Sequence, residues 1–141
     1  MSKRGDTCAD LVQLRDAEPL TTLGFMTQTL ASRISAGMGF LAVALGAFGA
    51  HSLSKTLAEH NTTEIWQTAA LYHLVHSVML VVVCRMGKFE KAAWTCFLAG
   101  ILIFSGSLYF LAALNIRWLG AVTPFGGLAL LAGWLLLLKK P

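Results

Sequence analysis

The sequence predicts an all-α, polytopic membrane protein with four transmembrane helices in an antiparallel bundle, and three observations lead to it. Of the 141 residues, 56% are hydrophobic and only 13% charged, a balance far from that of soluble domains and suited to lipid as solvent. The 11 basic and 7 acidic residues avoid four windows altogether: 34–54, 65–84, 92–116 and 118–138. These windows hold 21, 20, 25 and 21 residues, and a helix rising ~1.5 Å per residue crosses about 30 Å of hydrocarbon with about 20. Finally, the cations segregate. Lys3, Arg4, Arg15, Arg33, Arg85, Lys88, Lys91, Lys139 and Lys140 fall on one side of such a bundle, and only Lys55 and Arg117 on the other. That asymmetry places both termini on the cytoplasmic side of the membrane. A soluble helical core would need far more polar surface than the first 33 residues and three short loops supply.

Taken in order, residues 1–33 read as a cytoplasmic tail, mobile over 1–25, because charges, Thr, Gly and Pro19 alternate without a sustained period. Arg33 followed by an apolar run resembles a signal peptide, but a leader carrying Asp6, Asp10, Asp16 and Glu18 is a poor one. The transmembrane domain occupies 34–141, with spans at about 34–52, 65–84, 92–115 and 118/124–138. In span one, Ser35, Gly39, Ala42, Gly46 and Gly49 follow steps of four and three. Such a seam lets helix backbones approach closely in lipid, where packing replaces the hydrophobic effect, so span one is expected to be the central packing helix.

The next loop offers Lys55 and Glu59 at helical spacing, then Asn61 as an N-cap with Glu64 three residues on. Span three has a sparser small-residue series at Ala99, Gly106 and Ala113, and span four has Gly126, Ala129 and Gly133. Pro124 inside a helix would cost about 3 kcal/mol, whereas Thr123 as N-cap with Pro124 at the first helical position fits without penalty. That leaves 118–122 as irregular backbone. Trp66, Trp94, Trp118 and Trp134 fall toward span ends and read as anchors of the interfacial belt. Cys8, Cys84 and Cys96 have no metal-ligand spacing and are expected to be free thiols in a reducing compartment.

The residues that ask for an explanation are histidines. Steps of three and four put Trp66, Ala69, His73, His76 and Leu80 on one face of span two. His73 and His76 then lie about 12 and 17 Å below the start of the span. At that depth polar groups face the bundle. On one reading they belong to a functional polar cluster of His51, Tyr72, His73, His76, Ser105, Ser107 and Tyr109; on the other they are neutral imidazoles bonded to Tyr109, Ser105 or Ser107. His51 and His73 are too few for a metal site, so no metal and no cofactor is expected.

The stretches "ALGAFGAHSLSK" (44–55), "YHLVH" (72–76), "FSGSLY" (104–109) and "VTPFGGLALLAGW" (122–134) together resemble the YgdD-like family of small four-span bacterial inner-membrane proteins with eukaryotic relatives. The resemblance runs from about residue 34 to the end. It implies an integral membrane protein without an assigned activity. It also implies histidines at His51 and His76, a tyrosine at Tyr72, and a position at His73 where an amide is commoner.

No nucleophile triad, carboxylate pair or phosphate loop is present, so an enzyme is not expected. The expected role is a small interaction or accessory protein, its partners the lipid bilayer, a second copy or a larger membrane protein, and not nucleic acid. A minimal transporter or channel is the alternative, with a polar path near His73, His76 and Tyr109 and the helix start at Thr123 and Pro124 turned toward an anion. The absence of Asp and Glu from every span weakens it. A haem-binding electron carrier is the third reading.

Overall fold

The computed structural model describes the backbone of residues 7–87 and 89–139, and the side chains of these from residue 28 onward. Among the described residues every regular element is helical: α1 (Thr7–Ala50), α2 (Ser54–His60), α3 (Thr63–Arg85), α4 (Lys91–Gly100), α5 (Gly106–Leu114) and α6 (Thr123–Leu138). A π-helical turn, Ile101–Ser105, joins α4 to α5, and a 3₁₀ turn, Arg117–Ala121, leads into α6. Four stretches are long and apolar enough to cross a bilayer: Gln28–Ala50, Thr63–Arg85, Lys91–Leu114 and Arg117–Leu138.

The helix does not begin at the charge-free window: α1 runs unbroken through Arg33, which is exposed. A long basic side chain near a helix end can lay its stem along lipid and keep its head in water. The tail reading for 1–25 falls on residues 1–6, outside the described residues, and on a stretch where only backbone is described. From Thr7 that backbone is helical. Once the apolar span supplies a nucleus, each added residue gains a hydrogen bond without a new nucleation cost.

Sequential spans pack on one another: α1 along α3, α3 along α4, the π turn and α5, and α6 along α4 and the π turn. Spans two and three therefore lie inside, with 39% and 44% of their apolar windows buried, against 17% for spans one and four. Span one is thus an edge helix, which corrects the expectation of a central one. Small residues allow close approach but do not dictate how many neighbours a helix has.

Two apolar clusters cap this arrangement. Leu57, Trp66 and Ala112 pack with Leu45 and Tyr109 at the end bearing α2. Leu80, Val83, Phe97, Ile101 and Leu130 pack with Met38 and Trp94 toward the end bearing Arg85 and Lys91. Asn61 does not open α3. It closes α2 in the left-handed conformation (φ 55°), and Thr62 stands at the N-cap of α3. Asn tolerates that backbone better than most residues, and Asn115 ends α5 the same way (φ 54°). The Ala112 carbonyl, in the last turn of α5 with no helical partner to come, accepts from Thr62 Oγ1 (2.9 Å) and pairs with His60 Nδ1 (3.2 Å).

Candidate functional site

Between the two clusters, α3 carries a buried polar layer. His73 is 2% exposed and His76 6%, and Ser77 Oγ, one turn from His73, donates to the His73 carbonyl at 2.7 Å. The two imidazoles are in different situations. His76 Nδ1 lies 2.8 Å from the Tyr72 carbonyl, and its Nε2 lies 3.3 Å from the Trp134 indole N–H. A carbonyl only accepts and an indole N–H only donates. His76 therefore donates from Nδ1 and accepts at Nε2, with both nitrogens used. Tyr72 stacks on its ring at 5.8 Å and Phe97 lies at the same centroid distance, so the imidazole is held on its faces as well.

His73 is only half satisfied. Its Nδ1 meets the Tyr109 hydroxyl at 3.4 Å, while its Nε2 has no partner. The Ser105 hydroxyl, 1% exposed, is likewise unpaired. Ser107 does not reach an imidazole. Its hydroxyl donates to the Phe104 carbonyl and pairs with Thr123 Oγ1 at 2.9 Å. Thr123 is the first residue of α6 rather than its N-cap, which is Val122. Its hydroxyl bonds back to Leu119 and across to span three, tying the 3₁₀ turn to α5. Pro124 stands in the first turn of α6. His51 is exposed in the turn after α1 and makes no hydrogen bond or ring contact with the buried layer. Among the described residues no three His, Cys, Asp or Glu side chains converge as metal ligands.

The packing residues divide sharply. A Cβ on Gly126 would run into the Phe104 backbone, and one on Gly133 into the Phe97 ring at 2.7 Å. Gly49 lies against the Trp66 indole, whose N–H donates to the Leu45 carbonyl at 3.0 Å. Ser35 and Ala42 are buried as expected, but Gly39, Gly46 and Gly106 have nothing within 4 Å of an added Cβ. A side chain at any of those three would meet open space.

In the family comparison, the family described as "Protein of unknown function (DUF423)" matches residues 45–127. The chain belongs to this family. It is 41% identical over 104 residues to the UPF0382 membrane protein YwdK of Bacillus subtilis, covering 69% of this chain and 83% of that protein. It is 41% identical over 118 residues to the UPF0382 inner membrane protein YgdD of Escherichia coli (80% and 89%). A fission yeast relative, the UPF0382 membrane protein C1782.12c of Schizosaccharomyces pombe, is 36% identical over 108 residues (72% and 92%). No solved structure matches significantly. The resemblance to a family of small membrane proteins of unknown function is thereby established. Its matched region contains His51, Tyr72, His73, His76 and Tyr109 but ends before Trp134.

Several bonding residues escaped sequence reasoning. Trp134 holds His76, Trp66 is 5% exposed in the core, and Trp94 donates to Ser35 Oγ at 3.0 Å. Only Trp118, 68% exposed, fits the belt reading without qualification. The tryptophans' positions near span ends drew that reading, and nothing in spacing reveals which indole N–H turns inward. Gly100, pressed against Leu130, and Cys84, whose carbonyl accepts from Gln28 Nε2 at 2.7 Å, were also missed. Cys84 and Cys96 are free.

Proposed function

We propose that this protein is a non-enzymatic accessory protein of the inner membrane that assembles with a second copy of itself through the lipid-facing side of α1. The observation that carries this reading is that a Cβ added at Gly39 or Gly46 would meet open space while one at Gly49, on the same helix, would strike Trp66. Ala36, Gly39, Val43, Gly46 and Ala50 follow steps of three and four along that side, a groove into which a facing helix fits. Next to it a cleft of 420 Å³ is lined by Gly46, Ala50, Gln67 and Ala70. Two copies inserted with the same orientation present this side to each other across a twofold axis normal to the membrane, which makes the contact self-complementary. Cysteine crosslinking at position 43 in native membranes, with pull-down at endogenous level, is expected to give dimers that Gly39→Leu with Gly46→Leu abolishes. Monomer alone from the wild type overturns the reading.

Both termini are assigned to the cytoplasm, supported by the excess of Lys and Arg on that side of the spans. Impermeant thiol labelling of cysteines placed at each terminus should fail in intact cells and succeed after lysis. The transport reading is disfavoured by the closed bonding of His76. Equal liposome flux for wild type and His73→Leu would remove it.

A further inference from the structure

Among the described residues two buried side-chain atoms lack partners, and they stand on elements that pack together. His73 Nε2 is on α3, Ser105 Oγ is on the π turn, and both are sealed from the surface. The π turn is the local cause of Ser105's position. Gly106 N–H reaches back five residues to the Ile101 carbonyl instead of four, which widens the turn and brings Ser105 to the buried face that Phe97 and Ile101 already occupy. Ser35 and Ser77 return their protons to the carbonyl four residues before, and Ser107 to the carbonyl three before. Ser105 does neither.

Neighbouring contacts relate the levels of the two orphans: the ring of Tyr72, just before His73, lies 4.7 Å from that of Phe104, just before Ser105. A helical side chain covers the turn N-terminal to its own Cα, so the Tyr109 ring leans over the turn containing Ser105, four residues earlier, and its hydroxyl reaches His73 Nδ1 at 3.4 Å. The ring nitrogen left over, Nε2, and the hydroxyl left over, Ser105 Oγ, need a molecule that both donates and accepts. A phenol donating to Nδ1 makes Nε2 a donor, and a phenol accepting from Nδ1 makes it an acceptor; water serves either tautomer. Buried waters take up such otherwise unsatisfied groups.

We propose that a single bound water bridges His73 Nε2 and Ser105 Oγ inside the bundle, and that this water is the ligand for which the π turn is built. His73 is then in proton exchange with water while His76, three residues away, is not. The test uses full-length protein labelled with ¹⁵N-histidine and reconstituted in phospholipid vesicles. Water-edited solid-state NMR reads magnetisation transfer from water protons to each ring nitrogen, with the His73 signals assigned by their loss in His73→Gln. Transfer to His73 Nε2 and none to His76 is expected. Ser105→Ala is expected to lower the transfer several-fold, and Ser105→Thr, which keeps the hydroxyl, to retain it. No transfer to His73 in the wild type overturns the proposal, as does transfer unchanged in Ser105→Ala.

Discussion

The interface of span three with α6 and the interface of α1 with α3 solve the same problem in different ways. Where span three meets α6, Gly126 lies against the Phe104 backbone, Gly133 under Phe97 and Gly100 under Leu130, so small residues on both helices let the chains touch directly. Where α1 meets α3 and α4, Gly49 under Trp66 is, among the described residues, the one glycine of α1 at which a Cβ would meet a neighbour. Polar bonds do the rest: Trp66 to Leu45, Trp94 to Ser35, Gln28 to Cys84. Lipid competes poorly for an N–H donor but readily for a methyl surface, so a hydrogen bond at an edge helix fixes register where packing area is short. The glycines that the α1 interface leaves unused point away from the chain.

The sharpest way to break this contrast is Gly126→Val. The neighbour is backbone and cannot rotate aside, so the substitution forces α6 from span three. Unfolding titrations in mixed micelles should record a loss of about 3 kcal/mol or more, the upper range for overpacking. Gly49→Ala meets a side chain instead. Its cost is expected near 1–2 kcal/mol, with the Trp66 fluorescence maximum shifting as the indole leaves Leu45. A fluorescence spectrum unchanged beside a full loss of stability would contradict the assigned contact.

Trp134→Phe keeps the ring against His76 and Phe97 but removes the donor. A cost of about 0.6–1.7 kcal/mol is expected, the span measured for hydrogen bonds between membrane helices. The His76 Nε2 resonance should move with it. The smallest effect belongs to Gly106→Ala. With no neighbour to strike, the methyl group should stabilise the helix by up to about 1 kcal/mol through backbone entropy alone. A destabilisation there would mean that the π turn depends on Gly106 itself.

Much of this layout was legible from residue type and spacing. The charge-free windows overlap all four apolar spans, and the depth of His73 and His76 predicted their burial; of the expected partners Tyr109, Ser105 and Ser107, Tyr109 alone meets an imidazole. In span three Ala99, Gly106 and Ala113 are half-buried, while Ala93, Gly100 and Ala112 are buried. The step from Gly100 to Ala112 does not follow 3.6-residue counting, because the π turn between them rotates everything beyond Ile101 relative to α4. No residue in "ILIFS" announces it.

Composition and charge spacing alone determined that this chain is four helices in lipid, because burying a charge or an unpaired peptide group in hydrocarbon is too costly for any other arrangement. The choice of neighbours was not encoded at that level. Which helix stands at the edge, which indole turns inward to His76, and why His73 keeps a free nitrogen were decided by tertiary packing. Helix faces of nearly uniform hydrophobicity carry no directional preference until backbones come close enough for single glycines and single N–H groups to tell them apart.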